Sequence, residues 1–252
     1  MGLLEQMEAV DRLVRRPGDL PALLAQGGDD AAVLRTIDAG RLDAVARMQA
    51  LLTLGRWWQP RFPGAVETLT GALPAEELAL ALVGAPSFER AEGEDVKATA
   101  FVHGALDLAA AGRARGVPWL EELVAYEYLL AVGLPRRATG EPVDAELEAR
   151  LLGRRSRWFE GGRLTRPVVA LTVGWPVGAW HEGTVEDEEP EPRVHVLAVV
   201  DDEVTEVEAP MQAIDALGVL AGGGDDRAVA QAVGKKNAGR LLGWLRDADM
   251  IG

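Results

Sequence analysis

Arg193-Val-His-Val-Leu-Ala-Val-Val200, Asp201-Asp202 and Glu203-Val-Thr-Glu-Val-Glu208 form the most regular passage of the chain. The first run is apolar and rich in β-branched residues, and the last alternates strictly. The acidic pair between them makes the whole a hairpin signal. After Pro210 the apolar period changes from two to helical. Ile214, Leu217 and Ala221 recur at helical spacing and stop at Gly222-Gly-Gly224. Asp225 or Asp226 is placed to cap a second short helix carrying Val229 and Val233 as far as Gly234. Asn237 is placed to cap a third, with Leu241, Leu242 and Leu245 inward. An earlier run, Pro167-Val-Val-Ala-Leu-Thr-Val173, gives the hairpin a third strand. Three strands followed by three short helices predict a small winged-helix-like βββααα domain over residues 161–252.

Upstream the pattern is helical. Residues 1–44 read as an extension. It holds a helix over Leu3–Arg15, breaks at Pro17-Gly18 and Gly27-Gly28, and a second helix through Val33, Leu34 and Ile37 capped by Asp29 or Asp30. Arg41–Leu54 continues in helical style with Leu42, Val45, Met48, Leu51 and Leu52. The group Arg56-Trp-Trp-Gln-Pro-Arg-Phe-Pro63 then packs two tryptophans, a phenylalanine and two prolines into one helix end. It reads as an aromatic plug in the core, or as a protein-binding edge, since Trp and Arg are favoured interface anchors. Val66–Leu73 and Pro74–Leu82 read as helices, and Phe101, Ala105 and Leu108 mark another. Pro118 opens the clearest one, with an inner stripe of Leu120, Leu123, Val124, Tyr128 and Ala131. Glu127 lies in that stripe and needs a partner there. Arg56 and Arg61 are candidates, and a structural ion pair is the expectation. Gly133–Pro142 reads as a loop, Asp144–Leu152 as a helix and Arg154–Gly162 as a linker. The expected architecture is α+β, with an all-helical domain over 45–160 ahead of the βββααα domain.

Composition narrows the function. The 252 residues carry a net charge of −14. Residues 161–252 alone hold eight basic against sixteen acidic residues. Winged helices that grip DNA need a basic surface, and Lys235, Lys236 and Arg240 make only a local basic corner, so nucleic acid is not the expected partner. No apolar run reaches the roughly 18 residues that span a bilayer, and the N-terminus lacks the order of a signal peptide. A cytoplasmic protein with no membrane partner is the simplest reading. There is no cysteine, hence no disulfide or thiolate ligand. The three histidines, His103, His181 and His195, show no metal-ligand spacing, and no phosphate-loop or nucleophile-elbow motif occurs. His181 beside Glu182 and Glu186 is the one loop candidate for a cation. The run Glu186–Pro192 reads as a solvated acidic loop. No self-sufficient active site is legible, so no catalytic residue, metal or cofactor is assigned to the chain.

A module without catalytic groups can still bind a peptide. The second hairpin strand, Val204, Thr205, Glu206, Val207 and Glu208, is expected at a sheet edge, where an extended peptide adds main chain to main chain. Its side chains would enter a groove beside the last helix. Trp244, off the Leu241/Leu245 stripe, is placed to floor that groove. Lys235, Lys236 and Arg240 put positive charge at one end, so an acidic segment is a natural guest.

Two resemblances extend this. The βββααα plan, with Asp225-Asp-Arg-Ala-Val-Ala-Gln-Ala-Val233 and Leu241-Leu-Gly-Trp-Leu-Arg-Asp-Ala-Asp-Met-Ile-Gly252, resembles the PqqD-like recognition element, which binds leader peptides of ribosomally made, post-translationally modified peptides. Arg61-Phe-Pro-Gly-Ala-Val-Glu-Thr-Leu69 and Pro118-Trp-Leu-Glu-Glu-Leu-Val-Ala-Tyr-Glu-Tyr128 look like the helical domain of the HvfC and methanobactin-type partner proteins. That family pairs with multinuclear non-haem iron oxidative enzymes. The resemblance implies a non-catalytic accessory subunit that forms a heterodimer with such an enzyme and presents a ribosomal precursor peptide to it. The iron would belong to the partner. It implies peptide contacts at Val204–Glu208, Lys236, Arg240, Leu241 and Trp244, and docking contacts at Trp57, Trp58, Arg61, Phe62, Trp119 and Tyr126. The alternative from another class is a winged-helix transcriptional regulator with a helical sensing domain. A stand-alone enzyme with a carboxylate site is a third.

Overall fold

A computed structural model describes residues 17–25, 38–85, 94–112, 116–184 and 189–252, together with residues 10, 13, 14 and 88. The predicted helices over Leu3–Arg15 and Val33–Ile37 lie largely outside the described residues, as does the acidic run at 185–188. The chain is mixed α+β, with helices preceding a four-stranded antiparallel sheet. It divides into two compact units between Val117 and Pro118. The division therefore falls well before residue 160, and the helix opened by Pro118 belongs to the unit that carries the sheet.

Unit one holds α1 (Leu20–Ala25), α2 (Ala39–Thr53), α3 (Pro63–Ala72), α4 (Ala75–Val83) and α5 (Glu94–Ala110). Asp38 caps α2, its carboxylate accepting from the Arg41 amide at 3.0 Å. The tryptophan-proline group folds as the plug reading required. A π-helical turn, Leu54–Trp58, carries Trp58 and Phe62 inward, both fully buried. Trp58 meets Phe88 edge-on and Phe101 at 5.5 Å, and Phe62 stacks on Phe101 at 4.6 Å. The indole N–H, which burial would otherwise strand, donates to the Lys97 carbonyl at 3.0 Å. Only Trp57 faces outward, with Arg56, Arg61 and Lys97 around its ring. Of the expected docking residues, Trp58 and Phe62 are thus core and present no surface.

Unit two runs α6 (Leu120–Tyr128), a π-helical turn, α7 (Leu134–Thr139), α8 (Ala145–Leu151), β1 (Ser156–Phe159), β2 (Val168–Val173), α9 (Val177–His181), β3 (Arg193–Val200), β4 (Glu203–Ala209), α10 (Ala213–Ala221), α11 (Asp226–Val233) and α12 (Lys235–Asp247). The sheet is a meander in the order β1-β2-β3-β4. Val200 pairs Glu203 across the two-residue turn, and both turn residues adopt positive φ (Asp201 51°, Asp202 67°). That backbone suits the twist of a tight hairpin, and short acidic side chains tolerate it. Asp225 caps α11 through the Ala228 amide. Asn237 does not cap α12; it lies inside the helix and donates to the Val233 carbonyl, while Gly234 (φ 83°) makes the turn.

Two expected irregular segments are ordered elements. The stretch 154–162 contains β1, which pairs Ser156–Phe159 with Leu171–Val168. The stretch 133–142 contains α7, with Pro135 in its first turn, where the missing N–H costs nothing. The added layer explains why β2 and β3 are nearly continuous apolar runs. Val168, Ala170, Val194, Val196 and Ala198 pack with Leu217, Leu220, Leu241 and Leu245 beneath α10–α12. On the other face Val169, Leu171 and Leu197 are equally buried. There Tyr126 of α6 packs on His195, and Arg137 of α7 stacks over Trp158 at 4.1 Å. A sheet covered on both faces cannot alternate in polarity.

The chain end closes this unit. Leu164 bridges Ile251, and Arg163 and Arg246 both bind Asp226 at 2.6 Å. Gly162 (φ 59°) passes so close to α10 that an added Cβ would lie 2.2 Å from the Leu220 carbonyl oxygen. Only glycine fits there.

Candidate functional site

β4 pairs with β3 alone among the described residues, so its outer edge offers free main-chain groups. Where β4 ends at Ala209, the chain turns through Pro210, and α12 returns beside it. A cleft of about 530 Å³ opens between them. Leu241, Trp244, Pro192, Pro210 and Met211 supply its apolar wall, and Met211 is 41 % exposed. Arg193, Arg240, Glu191 and Glu208 charge its rim, and Gln212 and Asn237 add amides. The Arg240 guanidinium stacks over the Trp244 ring at 4.5 Å, one helical turn on. It makes no ion pair among the described residues, so its N–H donors remain available.

The expected peptide contacts divide. Arg240, Leu241, Trp244 and Glu208 line the cleft, whereas Lys236 is exposed outside its lining. Val207 packs against the helix-side core, and Val204 and Thr205 are half-buried on the strand. Glu206 turns to the opposite face. Its carboxylate accepts from the Tyr126 hydroxyl and from His195 Nδ1, so it anchors the edge strand and does not line the cleft. Tyr126, expected at a docking surface, is only 3 % exposed and belongs to this anchor. Of the expected docking set, Trp57, Arg61 and Trp119 keep partial exposure. Trp119 leans on Trp175 and Trp180 at 5.4 and 4.8 Å.

The anchor is part of a partly buried polar cluster. Glu127, fully buried, meets His181 Nδ1 at 2.9 Å. The partner that its burial demanded thus includes a histidine 54 residues on, which pattern alone did not suggest. Tyr126 stands between the two histidines, edge-on to His181 at 5.6 Å and to His195 at 5.1 Å. Gly178 closes the top, where a Cβ would come within 3.4 Å of the His195 ring. Burial by itself would raise the Glu206 carboxyl, but the bonds from His195 and Tyr126 outweigh it and hold the group below the usual carboxylate range. Burial, then the Glu206 charge, pushes the Tyr126 phenol far up, so it stays a donor at any ordinary pH. No group of three or more His, Asp or Glu side chains among the described residues is arranged to hold a metal ion.

Comparisons with protein-family models, curated protein sequences and solved structures gave no match. No helix among the described residues is long and apolar enough to cross a membrane.

Proposed function

We propose that the chain is a non-catalytic accessory subunit that captures an extended peptide and presents it to a partner enzyme. The observation that carries this is the juxtaposition of the open β4 edge with the cleft at its end, floored by Trp244 under Arg240. An incoming strand adds along β4 and drops side chains between Met211 and Leu241. A carboxylate on the guest meets Arg240. Taken with the family resemblance, the guest is the leader of a ribosomal precursor peptide. The partner is a multinuclear non-haem iron oxidative enzyme, acting with this chain in the cytoplasm. The residues that hold the guest stay apart from the oxidative chemistry, which belongs to the partner.

The test is co-purification of the tagged full chain with the proteins encoded beside it, which is expected to bring down an iron enzyme, and titration with fluorescent peptides from the short precursor expected among them. Trp244→Ala and Arg240→Glu are expected to weaken leader binding at least tenfold while the enzyme still co-purifies. A chain that binds no such peptide and instead retards duplex DNA with steep salt dependence would be a regulator.

A further inference from the structure

Six large hydrophobic side chains are exposed among the described residues. Four of them, Val45, Met48, Leu51 and Leu52, lie within eight residues of α2, at 39–54 % exposure. Scattered exposed apolar residues are ordinary, but a contiguous patch marks an interface. At about 100° per residue the four fall within roughly 120° of arc, opposite the buried Leu42, Ala46 and Ala50. The helix therefore presents one narrow inner stripe of small side chains and one outer stripe of large ones. The outer stripe is about 10 Å long at 1.5 Å per residue.

Its ends are cationic. Arg41 lies on the same arc at the start of the helix, and Arg56 follows the last apolar position, stacked over Trp57 at 5.5 Å with Lys97 on the same ring at 4.9 Å. Neither Arg41 nor Arg56 forms an ion pair among the described residues. Arg47, off the stripe, is bound to Asp43 and Glu76. A convex apolar ridge with unpaired cations at both ends complements a groove between helices whose own ends carry carboxylates. A second copy of the chain fits poorly, because a two-fold axis sets cation against cation whichever way it lies: Arg41 against Arg56 when the two helices run antiparallel, and each against its own copy when they run parallel.

We infer that the outer face of α2 is the surface on which this chain docks its partner protein, through an apolar groove with acidic ends. The assignment of that partner as the iron enzyme rests on the proposed function. The experiment uses the full chain and the enzyme that co-purifies with it in the test of the proposed function, with pairing read by sedimentation velocity and titration calorimetry. The double variant Met48→Glu/Leu52→Glu places charge on already exposed positions and keeps its circular dichroism. It is expected to weaken pairing about 30-fold or more and to leave leader capture unchanged. Arg41→Glu/Arg56→Glu is expected to weaken pairing and to remove most of the salt dependence of the affinity read by calorimetry. Pairing that survives both double variants overturns the α2 assignment alone. A wild-type chain that does not pair overturns the function on which the partner rests. A wild-type dimer abolished by Met48→Glu/Leu52→Glu overturns the assignment in favour of a second copy.

Discussion

The phenol of Tyr126, on the first helix of the C-terminal unit, donates to the carboxylate of Glu206 on its last strand, 80 residues later. This bond ties a strand whose outer edge is open to the helix layer behind the sheet. His195 holds the other oxygen of the same carboxylate. The edge is thus fixed in register from behind, by groups that do not compete with anything arriving in front.

Tyr126→Phe removes the donor and leaves Glu206 with His195 only. A hydrogen bond to a charged group contributes about 1.5–3 kcal/mol, and urea unfolding of unit two is expected to register a loss in that range. The Glu206 carboxyl should also titrate higher in the variant, measurable by the pH dependence of its side-chain NMR resonances.

The depressed Glu206 carboxyl makes stability depend on pH with a definite sign. In the unfolded chain the group titrates near 4.5, and in the fold it titrates lower. The folded protein therefore binds fewer protons in this range, and the stabilisation is present above about pH 4.5 and fades as pH falls through the folded value. Glu206→Gln should flatten this part of the stability profile from pH 6 to pH 3. An unchanged acid limb in that variant would show that other carboxylates govern it.

Gly162→Ala would drive a methyl group into the Leu220 carbonyl at a positive φ. A loss of about 1–3 kcal/mol is expected, with the melting temperature as readout. Gly161→Ala, also at positive φ but with open space around it, is expected to cost less, which separates collision from backbone strain.

Trp58→Ala opens a cavity among Phe62, Phe88 and Phe101 and is expected to cost about 3–5 kcal/mol. Trp57→Ala, at the half-exposed neighbour, should stay within about 1 kcal/mol. Equal losses at the two positions would contradict the inward and outward division of this pair.

Much of the C-terminal half could be read from local pattern. The hairpin and α10–α12 carry period, glycine stops and a capping aspartate in the residues themselves. β1 could not be read that way. Ser156–Phe159 is too short for a period, and its apolar partners lie on β2. α7 hid behind arginines, a proline and glycines that suggest a loop, although Pro135 is comfortable in a first turn. The division after Val117 carries no local signal, because α6 is buried nearly all round and nothing in its own residues says which unit does the burying. Leu241 and Trp244 could be placed at the cleft from helical spacing. Tyr126, Glu127, His181 and His195 are separated by tens of residues, and their meeting is a property of the tertiary fold alone.

An open strand edge that can receive a guest can also receive another copy of itself, the first step toward fibrillar aggregation. β4 exposes Glu203 and Glu208 near its two ends. Antiparallel pairing of two copies of this edge would bring carboxylates from one close to those of the other. A guest whose carboxylates sit at the Arg240 end and whose residues opposite Glu203 and Glu208 are uncharged meets no such repulsion. The glutamates of β4 would thereby oppose self-pairing of the edge in concentrated solution, and neutralising both should make the protein gel or form thioflavin-positive fibres before it loses its fold.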